Sequence, residues 1–401
     1  MIDFESQELY RQQSTLELIA SENYASPAVL AACASVFGNK YSEWYPDARY
    51  YGWQEVVDRM ELATQQAALQ IFGLDQTRCV NVQPLSWSVA NAAVYLWILK
   101  PWDTVLAMDL ACGGHLSHGS SINISWIIYN FIWYGVDSDG IIDYSSIDSL
   151  IDLHNPRMII RWYSSYPRDI DRKKVWDIKS RNPNIIMMAD IAHFAGLVAW
   201  WVLWNPFGVC DIVTTTTHKT LRGPRGALIY SHQKYSKQIN RWIFPGIQWW
   251  PQMNMVYAKY IAFHEILSND RKKYTQTIIN NAQILSQEIM NHGRNLVTHG
   301  TSNHLMVLDV HEIWGMLAQQ RLEDIWLSAN KNVIPYDTRT PKDPSGLRIG
   351  TPAITTRGLT ASDMPPLARA INVALRNENT LKAREIITTL CTNYPLPYGP
   401  Q

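Results

Sequence analysis

From residue 54 onward, helical stretches alternate with short apolar runs, and this alternation constrains the fold more than any other feature. Helical patterns over 54–72, 88–99 and 172–181 are interleaved with runs at 104–108, 157–160, 185–189, 211–215 and 227–230 that read as strands. Such an order predicts an α/β domain with a mostly parallel sheet covered on both faces. Ligands of such sheets bind at the carboxyl ends of strands, so the residues that follow each run are the first candidates for function.

Before this region, 3–20 reads as an amphipathic helix with Phe4, Leu9, Leu16 and Ile19 apolar, and a second helix starts at Pro27. After it come helical patterns at 251–268 and 271–291. A strand at 305–310, a helix near 318–329, a loop at 335–346, a strand at 347–350 and helices from about 362 complete the chain. The expected division is an arm over 1–26, a large domain over 27–270 and a smaller α/β domain over 271–401.

Composition removes several function classes. The 35 Lys and Arg balance the 35 Asp and Glu, so no global field favours a nucleic-acid partner. Five scattered Cys without C-x-x-C spacing indicate neither a disulfide framework nor a zinc site. An acidic, polar start and the lack of any 20-residue apolar run predict a cytoplasmic chain with no membrane partner. One imbalance stands out: 17 Trp against only 20 Gly, where glycine is usually about 7% of a chain.

Three strand ends carry chemistry. The run at 211–215 empties into hydroxyl residues, then His218 and Lys219, then the turn Gly223-Pro-Arg225-Gly226; a lysine in such a setting suits imine formation. Ala189-Asp190-Ile-Ala-His193 places a carboxylate where it can hold a protonated ring nitrogen. Gly113-Gly-His115-Leu-Ser-His118-Gly119 is a glycine-bracketed loop whose two histidines have no third or fourth ligand at regular spacing, so no metal is expected.

Together with Leu16-Glu-Leu-Ile-Ala-Ser-Glu-Asn-Tyr24, Arg49-Tyr-Tyr-Gly52, Asn81-Val-Gln-Pro84, Phe244-Pro-Gly246 and Leu347-Arg-Ile-Gly-Thr-Pro-Ala-Ile354, these segments closely resemble the serine hydroxymethyltransferase family, nearly colinearly from about residue 10 to the end. The resemblance implies the type I fold of pyridoxal-phosphate enzymes, with a large domain around a mostly parallel seven-stranded sheet. It implies transfer of the serine hydroxymethyl carbon to tetrahydrofolate, giving glycine and 5,10-methylenetetrahydrofolate. Lys219 then matches the lysine that carries pyridoxal phosphate, Asp190 the partner of the ring nitrogen, His115 the stacked imidazole and His193 the residue near the ring oxygen. Ser164, His218 and Arg225 match further cofactor positions, and Ser86, Trp87 and Ser88 match the phosphate turn. Arg348 and Ser21 match substrate positions, Arg348 being the fork for the carboxylate. Glu43 matches the acid/base group, with Tyr50 and Tyr51 beside it; Leu110, Gly114 and Leu116 match the folate pocket. In the family Tyr41, Glu43 and Tyr50 reach into a neighbour's site, so a homodimer or a dimer of dimers is implied, with Trp250 closing on the neighbour's phosphate.

The departures cluster at small residues. Trp87 stands where the family's phosphate turn has glycine, Trp249-Trp250 where it has Gly-Gly, and Trp44, Trp53 and Trp102 at other turns; Cys112 and Leu85 replace His, and Pro341-Lys342 replaces Pro-Phe. Overpacking at about 1–3 kcal/mol per site, or a forced positive φ, is the expected cost. Two alternatives stay open: folate-independent, threonine-aldolase-like cleavage of 3-hydroxy amino acids, and a cofactor-impaired scaffold of the same fold.

Overall fold

The apolar runs pair into one seven-stranded sheet in the computed structural model, which describes residues 3–161, 163–268 and 271–398. Across the sheet the strands are Arg78–Asn81, Ala227–His232, Ile212–Thr216, Ile186–Asp190, Met158–Arg161, Thr104–Met108 and Asn130–Tyr134. Only Ala227–His232 runs against the others. Successive side chains point to opposite faces, and two apolar clusters record that period of two. Ile159, Met187, Val213 and Leu228 join one cluster, and Ile160, Met188, Ile212 and Ile229 join the other. Burial on both faces explains why these strands read as continuous apolar runs.

A second core surrounds an antiparallel sheet of Asn330–Asn332, Gly346–Gly350 and Leu305–Asp309, in which Arg348 lies opposite Val307. The helices Met364–Leu375 and Thr380–Asn393 cover it with Ile371, Leu375 and Ile387. The helix Arg271–Asn291 links the cores: Ile278 and Ile279 belong to the first cluster, Ala282, Leu285 and Ile289 to the second.

Two expected helices are shorter than their apolar spacing suggests. The first is Phe4–Ser14; Leu16–Glu17 then forms a strand beside Leu327–Ser328. Leu16 and Leu18 alternate rather than follow a helical period, and burial of both in the second core decides the conformation. The helix expected near 318–329 is Gly315–Glu323, because the same pairing takes residues 327–328. The strands Arg78–Asn81 and Asn130–Tyr134 and the helix Tyr144–His154 were not anticipated.

Six of the described tryptophans, Trp44, Trp53, Trp102, Trp201, Trp314 and Trp326, have φ between 57° and 72°, the left-handed region that favours glycine. Their side chains are 40% to 87% exposed, so the expected overpacking is absent there and the cost lies in the backbone. Among the described residues, no helix is long and apolar enough to cross a membrane.

Candidate active site

Three strand ends converge on one cleft. Asp190 is the last residue of its strand, Lys219 follows Ile212–Thr216 by three residues, and His115 lies in the loop after Thr104–Met108. The first two ends are tied together: Thr220 Oγ1 donates to His193 O at 3.1 Å and accepts from Gly196 N at 2.9 Å. A Cβ on Gly196 would lie 2.3 Å from Thr220 O, so glycine lets the helix Ala195–Ala199 close against the lysine turn.

Asp190 is buried, yet its pKa is lowered. Burial opposes ionisation, and the donors outweigh it: His118 Nε2 donates to Oδ2 at 3.0 Å, Asn91 Nδ2 donates to the same oxygen at 2.9 Å, and the charge of protonated His115 would add to them. Thr214 Oγ1 donates to Asn91 Oδ1 at 2.8 Å and fixes which way that amide points. A third donor reaches Oδ2, the indole N–H of Trp87.

Trp87 is the centre of the cleft. Its ring stacks on the His115 imidazole with centroids 3.5 Å apart and planes 29° apart, and Lys219 Nζ lies 4.0 Å from its centroid. His118 and His193 meet it edge-on. The expected difficulty at this position was a turn that glycine alone can make; instead Trp87 opens the helix Trp87–Ile98, with Ser86 as its cap accepting from Val89 N, and Ser88 exposed in the first turn. The backbone here is relaxed, and the side chain causes the change.

Burial pushes the Lys219 amine down to about 7; Asp190 opposes the shift, and Arg348 and Arg225 add to it. Burial also lowers His115 to about 3 and His218 to about 3, and takes His193 well below its usual value, so all three imidazoles are neutral at pH 7. His115 Nδ1 accepts from Ser117 N at 3.1 Å. Arg348 donates through Nη1 to Ser164 O at 3.0 Å and through Nε to Asn330 Oδ1 at 3.1 Å. Burial lowers its pKa to about 10, still fully charged at neutrality.

A cavity of about 310 Å³ remains above the indole. It is lined by Ser21, Glu22, Trp87, His115, Ser164, His193, His218, Lys219, Arg225 and Arg348. The structure thus brings most of the expected cofactor and carboxylate residues onto one wall. Glu43, Tyr41, Tyr50, Tyr51 and Trp250 lie elsewhere: Tyr41 contacts Tyr51 and Trp250 with centroids 5.4 and 4.6 Å apart, Tyr50 packs on Tyr51, and Trp249 Nε1 donates to Glu43 Oε1 at 2.6 Å. Leu110 and Leu116 are exposed on the loop of His115, outside the cavity; Gly114, also outside it, is buried, and a Cβ there would lie 2.2 Å from Met108 O. Asn91, His118 and His304 were given no part in the site by the sequence reading, where His118 appeared only as one of two histidines too few for a metal. The first two grip Asp190 from positions 99 and 72 residues away, and His304 stacks on His193 at 5.8 Å.

The chemistry of this donor set suits a pyridoxal ring: an ionised acceptor for its N–H, an imidazole face and an amine above it. The space does not, because the indole already holds all three contacts. As the side chains stand, the residues present do not fit the ring.

The family model of serine hydroxymethyltransferase matches residues 1–371 of the 401. That family comprises pyridoxal-phosphate-dependent one-carbon transferases, the glycine hydroxymethyltransferases, which use tetrahydrofolate as co-substrate. A match of this extent runs through both cores and every strand of the large sheet, and on it the chain belongs to the serine hydroxymethyltransferase family.

Proposed function

We propose that the one-carbon transfer of this family, from serine to tetrahydrofolate with glycine as the other product, has its reaction centre in the cleft above Asp190. The observation that carries this reading is Lys219: a buried amine pushed down to about 7 at a strand end, beside an ionised carboxylate and two arginines. A lysine in this state is partly unprotonated at neutral pH and able to act as a nucleophile. Arg348 receives the substrate carboxylate with its planar guanidinium, and Ser21 and His218 complete that wall. Asp190 and His115 would offer a ring N–H acceptor and a stacking face only with the Trp87 indole withdrawn from them. Arg225 adds positive charge at the rim.

Glu43 is the acid/base group, with Tyr51 and Tyr50 beside it, and it acts in the cleft of a second subunit. That Glu43 does not line the lysine cavity of its own chain supports a homodimer with shared sites, in which Tyr41 and Trp250 also face the partner. Leu110, Gly114 and Leu116 border the folate. Arm, large domain and small domain divide at 27 and 271; the separate cores support this, and Leu16 and Leu18 tie the arm to the small domain. We place the enzyme in the cytoplasm.

The test is glycine formation from serine with pyridoxal phosphate, with and without tetrahydrofolate, in the parent chain and in Trp87→Gly. Folate-dependent turnover that is lost in Arg348→Leu is the expected result. Equal rates without folate would reject the transfer. Mixing Lys219→Ala with Glu43→Ala subunits checks the shared site: activity should return in the mixed dimer, and its absence from a proven mixed dimer would place Glu43 in its own chain's cleft.

A further inference from the structure

We infer that Trp87 is an internal ligand: its indole occupies the seat of a planar N–H heteroaromatic ring, and the seat accepts such a ring from solution only when this side chain is withdrawn. The inference rests on the reading of the cleft as the reaction centre.

Three independent contacts define the seat, and one side chain satisfies them all. Asp190 Oδ2 accepts the indole N–H, the His115 imidazole lies parallel against one side at 3.5 Å, and Lys219 Nζ lies 4.0 Å from the ring centroid. An ionised carboxylate at the end of a buried strand asks for a donor, so the ring it selects carries an N–H, as a pyridinium or an indole does. The histidines edge-on to the indole limit the ring's width.

Ordinary core packing does not account for this placement. Trp87 belongs to none of the hydrophobic clusters, and its neighbours are a carboxylate, an amine and imidazoles. Nor does backbone strain force it there, since Trp87 is the first residue of a capped helix with exposed Ser86 and Ser88 on either side. Two side-chain torsions separate the seated indole from solvent, so withdrawal needs no refolding. A ring that binds only the withdrawn state has its affinity reduced by the fraction withdrawn. At roughly 1% withdrawn the loss is about 100-fold.

The experiment compares the full chain with Trp87→Gly and Trp87→Ala, each checked for fold by far-ultraviolet circular dichroism. Pyridoxal phosphate and free indole serve as probes. Pyridoxal phosphate should bind both variants about 100-fold more tightly than the parent chain, read from the visible imine band. Free indole should raise the melting temperature of the variants and not of the parent, and should compete with pyridoxal phosphate. Equal affinity in parent and variants, or folded variants that bind neither probe, would overturn the inference. Borohydride reduction and peptide mapping keep it distinct from the functional reading. Label on a lysine other than Lys219, with indole binding intact, would sink the reaction centre and leave the internal ligand standing.

Discussion

Trp87 and the six left-handed tryptophans are the same residue type under opposite conditions. The six, of which Trp44, Trp53 and Trp102 were read as replacements of family glycines, hold a backbone conformation suited to glycine and turn their rings toward solvent, Trp44 still meeting Phe244 and Trp314 and Trp326 each carrying an arginine. Trp87 keeps a relaxed helical start and turns its ring inward onto a carboxylate, an imidazole and an amine. The first arrangement costs stability and leaves the cleft untouched. The second costs no backbone strain and fills the cleft. Loss of a glycine therefore has two separable consequences, and which one dominates depends on where the side chain is aimed.

The largest effect expected from this comparison is on stability. A left-handed conformation costs a side-chain-bearing residue about 1–2 kcal/mol, and glycine gives back part of that through its freer unfolded state. Returning all six to glycine should raise unfolding free energy by about 5 kcal/mol, near-additively because the sites are scattered. Urea denaturation measures it. No gain would mean that these turns tolerate the indoles without strain.

Next is the pH dependence that the buried lysine creates. Lys219 falls to about 7 in the folded chain from an ordinary 10.5, so between these values the unfolded chain holds a proton that the folded chain has released. Stability should therefore climb as pH rises from 7 toward 10.5, Lys219 contributing no more than about 1.4 kcal/mol per pH unit and Lys259, which burial also pushes down to about 7, a similar share. Lys219→Met should remove its share and leave that of Lys259. Trp87→Gly should make the Lys219 part of the climb begin at higher pH, because water reaching the seat relieves the burial that lowers the amine. The six-glycine variant should leave it unchanged, and a slope that moved there instead would break the separation of the two regions.

Much of this was legible and some was not, for physical reasons. Lys219 and Asp190 follow continuous apolar runs, and a run buried on both sheet faces leaves a strong signature. Asn130–Tyr134 lies at the sheet edge with only Phe131 and Tyr134 buried, so its pattern is broken and it passed unread. Asn91 and His118 act on Asp190 across long stretches of chain that no local spacing encodes. At Trp87 the composition marked the right position, but the expected fault was a backbone one. The direction of a side chain is set by the helix it begins, and that helix was read as starting one residue later.

A smaller effect, of opposite sign to that at the left-handed sites, is expected from Trp87→Gly without ligand. It gives up a hydrogen bond to an ionised carboxylate, worth about 1.5–3 kcal/mol, and an aromatic stack of about 0.5–1.5 kcal/mol. Asn91 and His118 still satisfy Asp190, and water entering the seat recovers part of the loss. A net loss of about 2 kcal/mol in urea denaturation is the expected result. A gain would place Trp87 among the strained indoles after all.

The smallest difference lies within the six. Arg339 stacks over Trp314 with its guanidinium carbon 3.9 Å from the ring centroid, and Arg384 lies 5.0 Å from Trp326, whereas no such cation is recorded over Trp53 or Trp102 among the described residues. An exposed cation–π contact contributes about 0.5–1 kcal/mol, close to the gain expected from relieving one left-handed residue. Trp314→Gly and Trp326→Gly should therefore stabilise by no more than about half of what Trp53→Gly and Trp102→Gly achieve. Arg339→Ala, made in the Trp314→Gly background, should then have little further effect on the ring's account, because its stacking partner is already gone; a double-mutant cycle gives the coupling directly. Equal gains at all four sites, with zero coupling, would show that backbone conformation alone sets the cost of an outward-facing indole.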